Sequence, residues 1–391
     1  LVCDRSCSMS VTSAQGFRAA GVAAGLKSSG APDVALVVND GPRFDAAGVF
    51  TRNRVKAAPV LWTQQVMASH TVHAVIMNSG GANACTGPDG FLDTHRTAEH
   101  VADVLELNAA EVAVCSTGLI GVRLPMDRLL SGVDGAAQQL TAQGGDQAAH
   151  AIMTTDTVAK TATFSGRGFT VGGMAKGAGM LAPSLATMLV VVTTDAVVDA
   201  SDRDHVLRTS TSVTFDRVDS DGCTSTNDTV LLLASGASET CPTIDELTEA
   251  VISVCADLAR QIVADAEGAS KEVRIDVINA ASEADALEVG RAVARANLVK
   301  CAIHGEDPNW GRILAEVGMT QAVFEPENIS VALNGVWVCR DGAAGDDRGL
   351  VDMSGREVVV TINLNAGQHE AAIWTNDLTA AYVHENSAYA T

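Results

Sequence analysis

At 391 residues, 47% of them hydrophobic, the chain is longer than one typical domain and can bury a large core. Its formal net charge of −21 argues against nucleic acid and anionic membranes as partners, because both repel an acidic surface. Its apolar runs stay far below the roughly 18 to 20 residues that a membrane-spanning helix needs. We therefore expect small molecules as partners, with no nucleic acid and no membrane.

The nine cysteines form no CxxC pair and no Cys/His spacing that is typical of a zinc site. We therefore predict reduced thiols in a cytoplasmic protein, with no metal. The N-terminal stretch "FRAAGVAAGL" lacks a small-residue cleavage context, so we predict no signal peptide. Met9 is a candidate true start, which would place residues 1–8 upstream of the protein.

Strand-like and helical segments alternate through the first half of the chain. Strands are predicted at 33–40, 48–53 and 73–78, and the last of them leads into a loop rich in Gly and Asn. A helix is predicted near 95–107, where apolar residues recur at helical spacing. The next strand, "EVAVCSTGLIG", ends in small residues, and an Ala- and Gln-rich segment that follows it is mostly helical.

A Gly-rich loop then leads without a polar spacer into the β-branched run 188–192, which is typical of a fully buried strand. The junction is Ala186-Thr187. At such a junction a chain could cut itself and leave a threonine at a new N-terminus, whose own α-amine, with a pKa of about 7.7 to 8.0, could activate the hydroxyl. The local pattern alone leaves open an ordinary strand threonine beside a proline turn.

The second half begins with the clearest helix of the chain, at 243–268. Thr243 and Glu246 form a capping box, and the helix ends where Glu267 precedes Gly268, a natural helix stop. Further on we predict a strand at 272–280, a single helix at 283–303, and an antiparallel run formed by 329–338, 357–364 and 369–378. The pattern as a whole indicates the α/β class.

The sequence lacks three common motifs, those of dinucleotide-binding, P-loop and zinc-protease sites. No GxGxxG follows a strand in the required setting, and neither GxxxxGK[ST] nor HExxH occurs. The loops at the predicted strand ends carry Ser, Thr, Gly and Asn instead. The composition of these loops favours chemistry based on a hydroxyl group.

The segment "GGMAKGAGMLAPSLATML" resembles the self-cleavage signature of the ornithine acetyltransferase family, the glutamate N-acetyltransferases of the cyclic arginine pathway. Other segments resemble the family in order and spacing, among them "FTRNRVKAAPV", "NSGGANACTG", "CSTGLIG", "AIMTTDT", "DGCTSTNDT", "DAEG", "DPNWGR" and "ENSAYAT". The resemblance runs from about Gly16 to Thr391.

The resemblance implies roles for single residues. Cleavage between Ala186 and Thr187 would give an α chain, 1–186, and a β chain, 187–391, with Thr187 as nucleophile. Thr117 and Gly118 match the pair that forms the oxyanion hole, although a strand-ending turn also explains them. The positions that match substrate-binding residues are Thr154, Lys176, Thr187, Glu267, Asn386 and Thr391.

The family signatures also cover Asn227, Asp228 and the segment 307–312, where tight turns are an alternative explanation. A lysine and a carboxylate suit an amino-acid substrate, but the sequence does not tell which substrate group meets which residue.

The activity that the resemblance implies is acetyl transfer from N-acetylornithine to glutamate through an acetyl-threonine intermediate, which gives ornithine and N-acetylglutamate. The resemblance also implies a layered αββα-type sandwich with mixed sheets, an α2β2 heterotetramer and no cofactor. Whether acetyl-CoA is a further donor stays open. The alternatives are an autoprocessed aminopeptidase or amidase of the N-terminal-nucleophile type, and a non-enzymatic binding protein that retains the fold.

Overall fold

The computed structural model describes residues 10–182 and 188–388. Strands and helices alternate in the first of these ranges, as the sequence predicts. Its elements are β1 (Phe17–Val22), β2 (Val34–Asn39), β3 (Asp45–Phe50), α1 (Ala58–Val66), β4 (Ala74–Asn78), α2 (Gly87–Leu105), β5 (Val112–Ser116), α3 (Met126–Gln138), α4 (Gly145–Ala151), β6 (Lys160–Ser165) and β7 (Thr170–Lys176).

The second range begins with the predicted buried strand. Its elements are β8 (Leu189–Thr194), α5 (Arg203–Val213), β9 (Thr229–Ala234), α6 (Ile244–Ala264), β10 (Glu272–Ala280), α7 (Glu283–Arg295), α8 (Asn297–His304), α9 (Trp310–Val317), β11 (Ser330–Leu333), β12 (Val336–Arg340), β13 (Ala343–Ala344), β14 (Glu357–Asn363), β15 (His369–Asn376) and α10 (Ala380–Ala388). Every residue of β8 is buried, which confirms the prediction for this run.

Two mixed sheets form the centre of the molecule. The first has the strand order β1-β2-β4-β5, and the second has the order β3-β9-β8-β7-β6. Helices α1 to α4 pack against strands of the first sheet, whereas α5 and α6 pack against strands of the second.

The two sheets stack because successive side chains of a strand point to opposite faces. Val191 and Leu231 of the second sheet share an apolar core with Ile76 of the first. Their neighbours Val190 and Leu232 face the other way and pack with α6. The layers therefore run helix, sheet, sheet, helix, and the predicted αββα-type α/β fold is confirmed.

A third sheet, ordered β13-β12-β11-β14-β10-β15, has an apolar core of its own with α7, α8 and α9. The predicted antiparallel run is wrong in one respect. Strand β15 pairs with β10 rather than with β14, and β10 and β14 are parallel. The run 329–338 is a hairpin, because its Asn334-Gly335 turn separates β11 from β12.

Two helix predictions also need correction at their ends. The segment 283–303 forms two helices, because Ala296 adopts an extended conformation between α7 and α8. Helix α2 begins at Gly87, earlier than predicted, with a proline in its first turn. The capping box of α6 is confirmed, since the Thr243 side chain accepts a hydrogen bond from the Glu246 N–H and the Glu246 side chain accepts one from the Thr243 N–H.

None of the helices in the described ranges combines the length and the apolar character that a transmembrane span requires. The predicted boundary between an α chain and a β chain falls between β7 and β8 and stays a prediction. Ala186, Thr187 and Thr391 lie outside the described residues.

Candidate active site

The predicted site residues that the structure describes line one cleft. The cleft encloses about 590 Å³, part of it open to solvent. It lies where the ends of β5 and β7 meet the turn after α6 and the C-terminal helix α10. The predicted residues in its wall are Thr117, Gly118, Thr154, Lys176, Glu267 and Asn386.

Sequence reasoning did not single out the remaining wall residues as site residues. Those that the cleft adds are Ala82, Ile120, Thr155, Gly179, Met180, Ser225, Thr226 and Asn227. Several of them lie in segments that resemble the family signatures, so a signal was present at the level of the segment but not of the residue.

Thr117 and Gly118 follow directly after β5. The backbone N–H of Thr117 donates to the carbonyl oxygen of Asn78 at 2.9 Å, and the Thr117 side chain is buried. Gly118 has a φ of +126°, and a Cβ there would lie 2.9 Å from the backbone nitrogen of Gly81. The tight approach of these two loops therefore requires glycine at 118.

Lys176 ends β7 and is buried. Its Nζ lies 3.5 Å from the Thr117 hydroxyl oxygen and 3.9 Å from Oδ2 of Asp156. Burial lowers the pKa of Lys176, because the charged form is poorly solvated there, and the attraction of Asp156 opposes this shift. The structure thus places a cation beside the predicted oxyanion threonine.

Asp156 lies beside this lysine without lining the cleft, and the sequence analysis did not predict it as a site residue. Its Oδ1 accepts hydrogen bonds from Nζ of Lys160 and from the Gly177 N–H, each at 2.7 Å. Burial alone would raise the pKa of Asp156, but Lys176 and Lys160 outweigh it and hold the pKa well below its usual range. Asp156 is therefore a fixed anion, and the lysine four residues after it in the sequence was the available signal.

Glu267 and Asn386 form another part of the cleft wall. Nδ2 of Asn386 donates to Oε2 of Glu267 at 3.0 Å, and the Glu267 N–H donates to the carbonyl oxygen of Ala178 at 3.0 Å. A Cβ on Gly179 would lie 2.6 Å from either carboxyl oxygen of Glu267, so this glycine lets the carboxylate approach the loop. The wall of the cleft therefore carries both a cation and a carboxylate, which suits a zwitterionic amino acid.

The segment 225–228, immediately before β9, touches two parts of the site. Nδ2 of Asn227 donates to the carbonyl oxygens of Ala82 at 2.6 Å and of Ser116 at 2.8 Å. Oδ1 of Asp228 accepts the N–H of Met188 at 3.1 Å. Sequence reasoning noted these two residues without assigning them a role.

The segment 307–312 does not line the cleft. Asn309 precedes α9, and its side chain accepts the Arg312 N–H at 3.2 Å, while Arg312 donates to the carbonyl oxygen of Leu298. The alternative explanation of this segment as a turn therefore agrees with its contacts.

Comparison with known proteins identifies relatives over almost the whole length of this chain. A family model, the ArgJ family, matches residues 18–391. The arginine biosynthesis bifunctional protein ArgJ of Streptomyces avermitilis is 66% identical over 381 residues, which are 97% of this chain and 100% of that protein. The chain belongs to the ArgJ family. The ArgJ protein of Thermobifida fusca is 62% identical over 383 residues, 98% of this chain and 100% of that protein.

Among solved structures, ornithine acetyltransferase from Mycobacterium tuberculosis complexed with ornithine is 62% identical, with a TM-score of 0.45, and covers 46% of this ArgJ-family chain and 96% of that chain. The family assignment made from the sequence is confirmed by the family model and the curated relatives. The curated relatives that confirm it are named as bifunctional proteins of arginine biosynthesis.

Proposed function

We propose that this protein transfers the acetyl group of N-acetylornithine to glutamate through an ester on the Thr187 hydroxyl. One pairing of strands carries the proposal. Lys176, in the wall of the cleft, pairs directly with Leu189, which is two residues after Thr187. The chain therefore enters β8 beside the lysine and the Thr117–Gly118 loop.

In this proposal the chain first cuts itself between Ala186 and Thr187. The hydroxyl of Thr187 attacks the carbonyl of Ala186, and the C–N bond between the two residues breaks as the nitrogen takes up the proton, which leaves an ester and the free α-amine of Thr187. Water then hydrolyses the ester, which releases the Ala186 carboxylate and restores the Thr187 hydroxyl. The products are an α chain, 1–186, and a β chain, 187–391, and the freed amine becomes the base that the hydroxyl needs.

Acetyl transfer then takes two matched steps. The Thr187 hydroxyl attacks the acetyl carbonyl of N-acetylornithine while its proton passes to the α-amine, the C–N bond breaks, and the proton leaves with ornithine. The amine of glutamate attacks the acetyl ester in the same way, which gives N-acetylglutamate and restores the free hydroxyl of Thr187. One amide replaces another, so the exchange needs no input of energy.

Thr117 and Gly118 would stabilise the negative charge of each tetrahedral intermediate, the first through its hydroxyl and the second through its N–H. The Lys176 ammonium would increase the attraction of this part of the cleft for anions. Glu267 and Asn386 would bind the cationic or polar end of the substrate. Thr154 and Thr391 complete the proposed binding set, each through its hydroxyl.

Three further properties belong to the proposal. The word "bifunctional" in the names of the relatives supports acetyl-CoA as a second acetyl donor. We also infer that the α and β chains assemble as an α2β2 heterotetramer. We infer a cytoplasmic location, since the described range includes free thiols exposed at Cys85, Cys223, Cys241 and Cys301, which such a compartment keeps reduced.

The test is an assay of the purified protein with labelled glutamate and either N-acetylornithine or acetyl-CoA. We expect labelled N-acetylglutamate from N-acetylornithine, and a β chain that gains the mass of one acetyl group on its first residue when glutamate is left out. Release of free acetate in place of N-acetylglutamate would instead identify a hydrolase of the amidase type and overturn the proposal.

A further inference from the structure

Asn227 and Asp228 are adjacent in sequence, yet they hold two different parts of the candidate site. Asn227 is buried, and its amide donates one hydrogen bond to Ala82 and one to Ser116. Ser116 is the residue directly before Thr117. The amide of Asn227 therefore ties the loop after β4 to the point where the predicted oxyanion loop begins.

The orientation of the Asn227 amide is fixed from its other side. The hydroxyl of Thr226 donates to Oδ1 of Asn227 at 2.6 Å, so the NH2 group must face the two carbonyl oxygens. Asp at this position would turn a carboxylate oxygen toward two carbonyl oxygens. The contact is thus specific for an amide rather than for the shape of the side chain.

Asp228 holds the start of β8 in a comparable way. Its Oδ1 accepts the Met188 N–H at 3.1 Å, and the next residue, Thr229, donates its N–H to the Met188 carbonyl at 3.1 Å. Oδ2 is buried and accepts no hydrogen bond from the residues that the structure describes. Burial raises the pKa of Asp228 well above its usual value, and the hydrogen bond from Met188 opposes that shift.

The segment that carries both residues is itself anchored. The Thr51 hydroxyl donates to the carbonyl oxygen of Ser225 at 2.6 Å, and the Ala57 N–H donates to that of Thr226 at 3.0 Å. The Thr51 N–H donates to the backbone carbonyl of Asp228 at 3.0 Å. The segment is therefore held by residues that do not line the cleft, and these hydrogen bonds preorganise it.

We propose that Asn227 and Asp228 are positioning residues that set the distance between the oxyanion loop and the nucleophile. Asn227 acts through Ser116 and Ala82 on the Thr117–Gly118 loop. Asp228 acts through the Met188 amide on residue 187. The inference rests on the proposed acetyl-threonine mechanism, because only there do these two parts have to meet a common carbonyl carbon.

Asn227→Ala tests the first half, with Asn39→Ala as a matched control. Asn39 is also a buried asparagine whose Nδ2 bridges two carbonyls, those of Arg43 and Ala234, but Ala234 lies at the far end of β9. We expect both variants to lower the melting temperature, and only Asn227→Ala to lower kcat, by about 10- to 100-fold at nearly constant KM, as for a small misplacement of reacting groups. Equal kcat losses in the two variants would assign Asn227 to stability alone.

A double-mutant cycle with Thr117→Ala tests whether Asn227 acts through the oxyanion loop. If Asn227 acts through the oxyanion loop, the double variant must lose much less than the product of the two single losses. Losses that multiply would show that Asn227 acts independently of that loop and would overturn the proposal.

Two substitutions test the second half. Asp228→Asn keeps an oxygen that can accept the Met188 N–H, whereas Asp228→Ala removes it. We expect Asp228→Ala to slow both self-cleavage and turnover by about 10-fold or more, and Asp228→Asn to restore most of both rates. An Asn variant as slow as the Ala variant would mean that the charge acts and not the hydrogen bond. If the Ala variant does not fold, the Asn variant still decides, because the proposal requires it to stay within about threefold of the wild-type rates.

Thr187→Ala distinguishes a failure of the threonine mechanism from a failure of the positioning role. An active Thr187→Ala protein would overturn the threonine mechanism and this inference together. An inactive Thr187→Ala protein combined with wild-type kcat in Asn227→Ala would overturn the positioning role alone.

Discussion

Nζ of Lys176 lies 3.5 Å from the hydroxyl oxygen of Thr117, and both side chains are buried. A cation in this place favours any negative charge that gathers near the Thr117 hydroxyl. Asp156 is held as an anion 3.9 Å from the lysine Nζ, and it does not itself line the cleft. The contact between Lys176 and Thr117 therefore puts the positive charge of the cleft beside the predicted oxyanion hole.

The pH profile of kcat/KM should report on this lysine. Burial lowers the pKa of Lys176, so the ammonium loses its proton at a lower pH than the ordinary value of about 10.4. Activity should therefore fall on the alkaline side as the cation disappears. In Lys176→Arg the guanidinium stays protonated, and the alkaline limb should move to higher pH even if the maximum is lower. The same alkaline limb in both proteins would assign it to another group.

Thr117→Ala removes the hydroxyl that we expect to face the oxyanion. The variant should fold and cut itself but lose a factor of about 100 to 1,000 in kcat, the range for one oxyanion donor. Steady-state kinetics on the processed protein measure the loss. Wild-type turnover would reassign Thr117 to the structure of the β5 turn.

Gly118→Ala tests the close approach of the loop to Gly81, and Gly121→Ala is its control. Both glycines have a positive φ, but a Cβ at 118 would lie 2.9 Å from the Gly81 nitrogen, whereas nothing lies within 4 Å of a Cβ at 121. Both variants should lose about 1 kcal/mol or more in the free energy of unfolding from backbone strain. Only Gly118→Ala should also lose kcat, because only there must the loop shift. Equal kinetics in the two variants would contradict the predicted role of the loop.

Thr187→Ala removes the proposed nucleophile. The variant should stay one uncut chain and transfer no acetyl group, while Thr187→Ser should still cut, more slowly, and keep reduced activity. Wild type should give fragments of 186 and 205 residues, which together make up the 391 of the chain. Mass spectrometry and sequencing of the new terminus check the cut. Thr193→Ala, in the buried strand β8, is the control and should be processed normally. Cleavage of Thr187→Ala at the wild-type bond would exclude the mechanism.

Lys300 offers a test of stability in place of activity. Its Nζ donates to the carbonyl oxygens of Ser220 and Asn376, and burial lowers its pKa to about 8. The unfolded chain therefore binds more protons at this site between about pH 8 and 10.4, so the contribution of Lys300 to the free energy of unfolding rises with pH in that window.

The rise should approach about 1.4 kcal/mol per pH unit inside that window. Urea unfolding of wild type and Lys300→Met at several pH values isolates this contribution, because the other titrating groups cancel in the difference. A difference that stays constant from neutral to pH 10 would contradict the lowered pKa.

The sequence was sufficient for the elements whose signal is local. The capping box of Thr243 and Glu246, and the β-branched run of β8, follow from side-chain chemistry at short range, and both are confirmed. Helix α7 is predicted to continue into α8 because helical spacing continues past Ala296. In the structure Ala296 is extended, and the two helices on either side of it contribute apolar residues to the core of the third sheet. The partner of β15 depends on a crossover that no local pattern encodes.

The candidate site likewise contains residues that the sequence indicates and residues that only the folded structure reveals. The family signatures pointed to Lys176 and Glu267, which the structure brings into the wall of one cleft. Asp156 and Asn227 were not assigned, because their importance arises from partners that are distant in sequence. The contact of Asn227 with Ser116 spans 111 positions, and only the stacked sheets bring these residues together.

The second sheet combines strands from both sides of the predicted cleavage bond. Strands β3, β6 and β7 come from before residue 187 and β8 and β9 from after it, and the later pair lies between β3 and β7. Cutting the chain at the predicted bond therefore breaks one covalent link and no strand pairing, since the ladder from Val171–Thr194 to Lys176–Leu189 stays intact. Neither piece could form this sheet alone without leaving edges unpaired. Maturation would thus create two polypeptides that remain a single cooperative folding unit, and pieces synthesised separately would have to associate before either could complete its core.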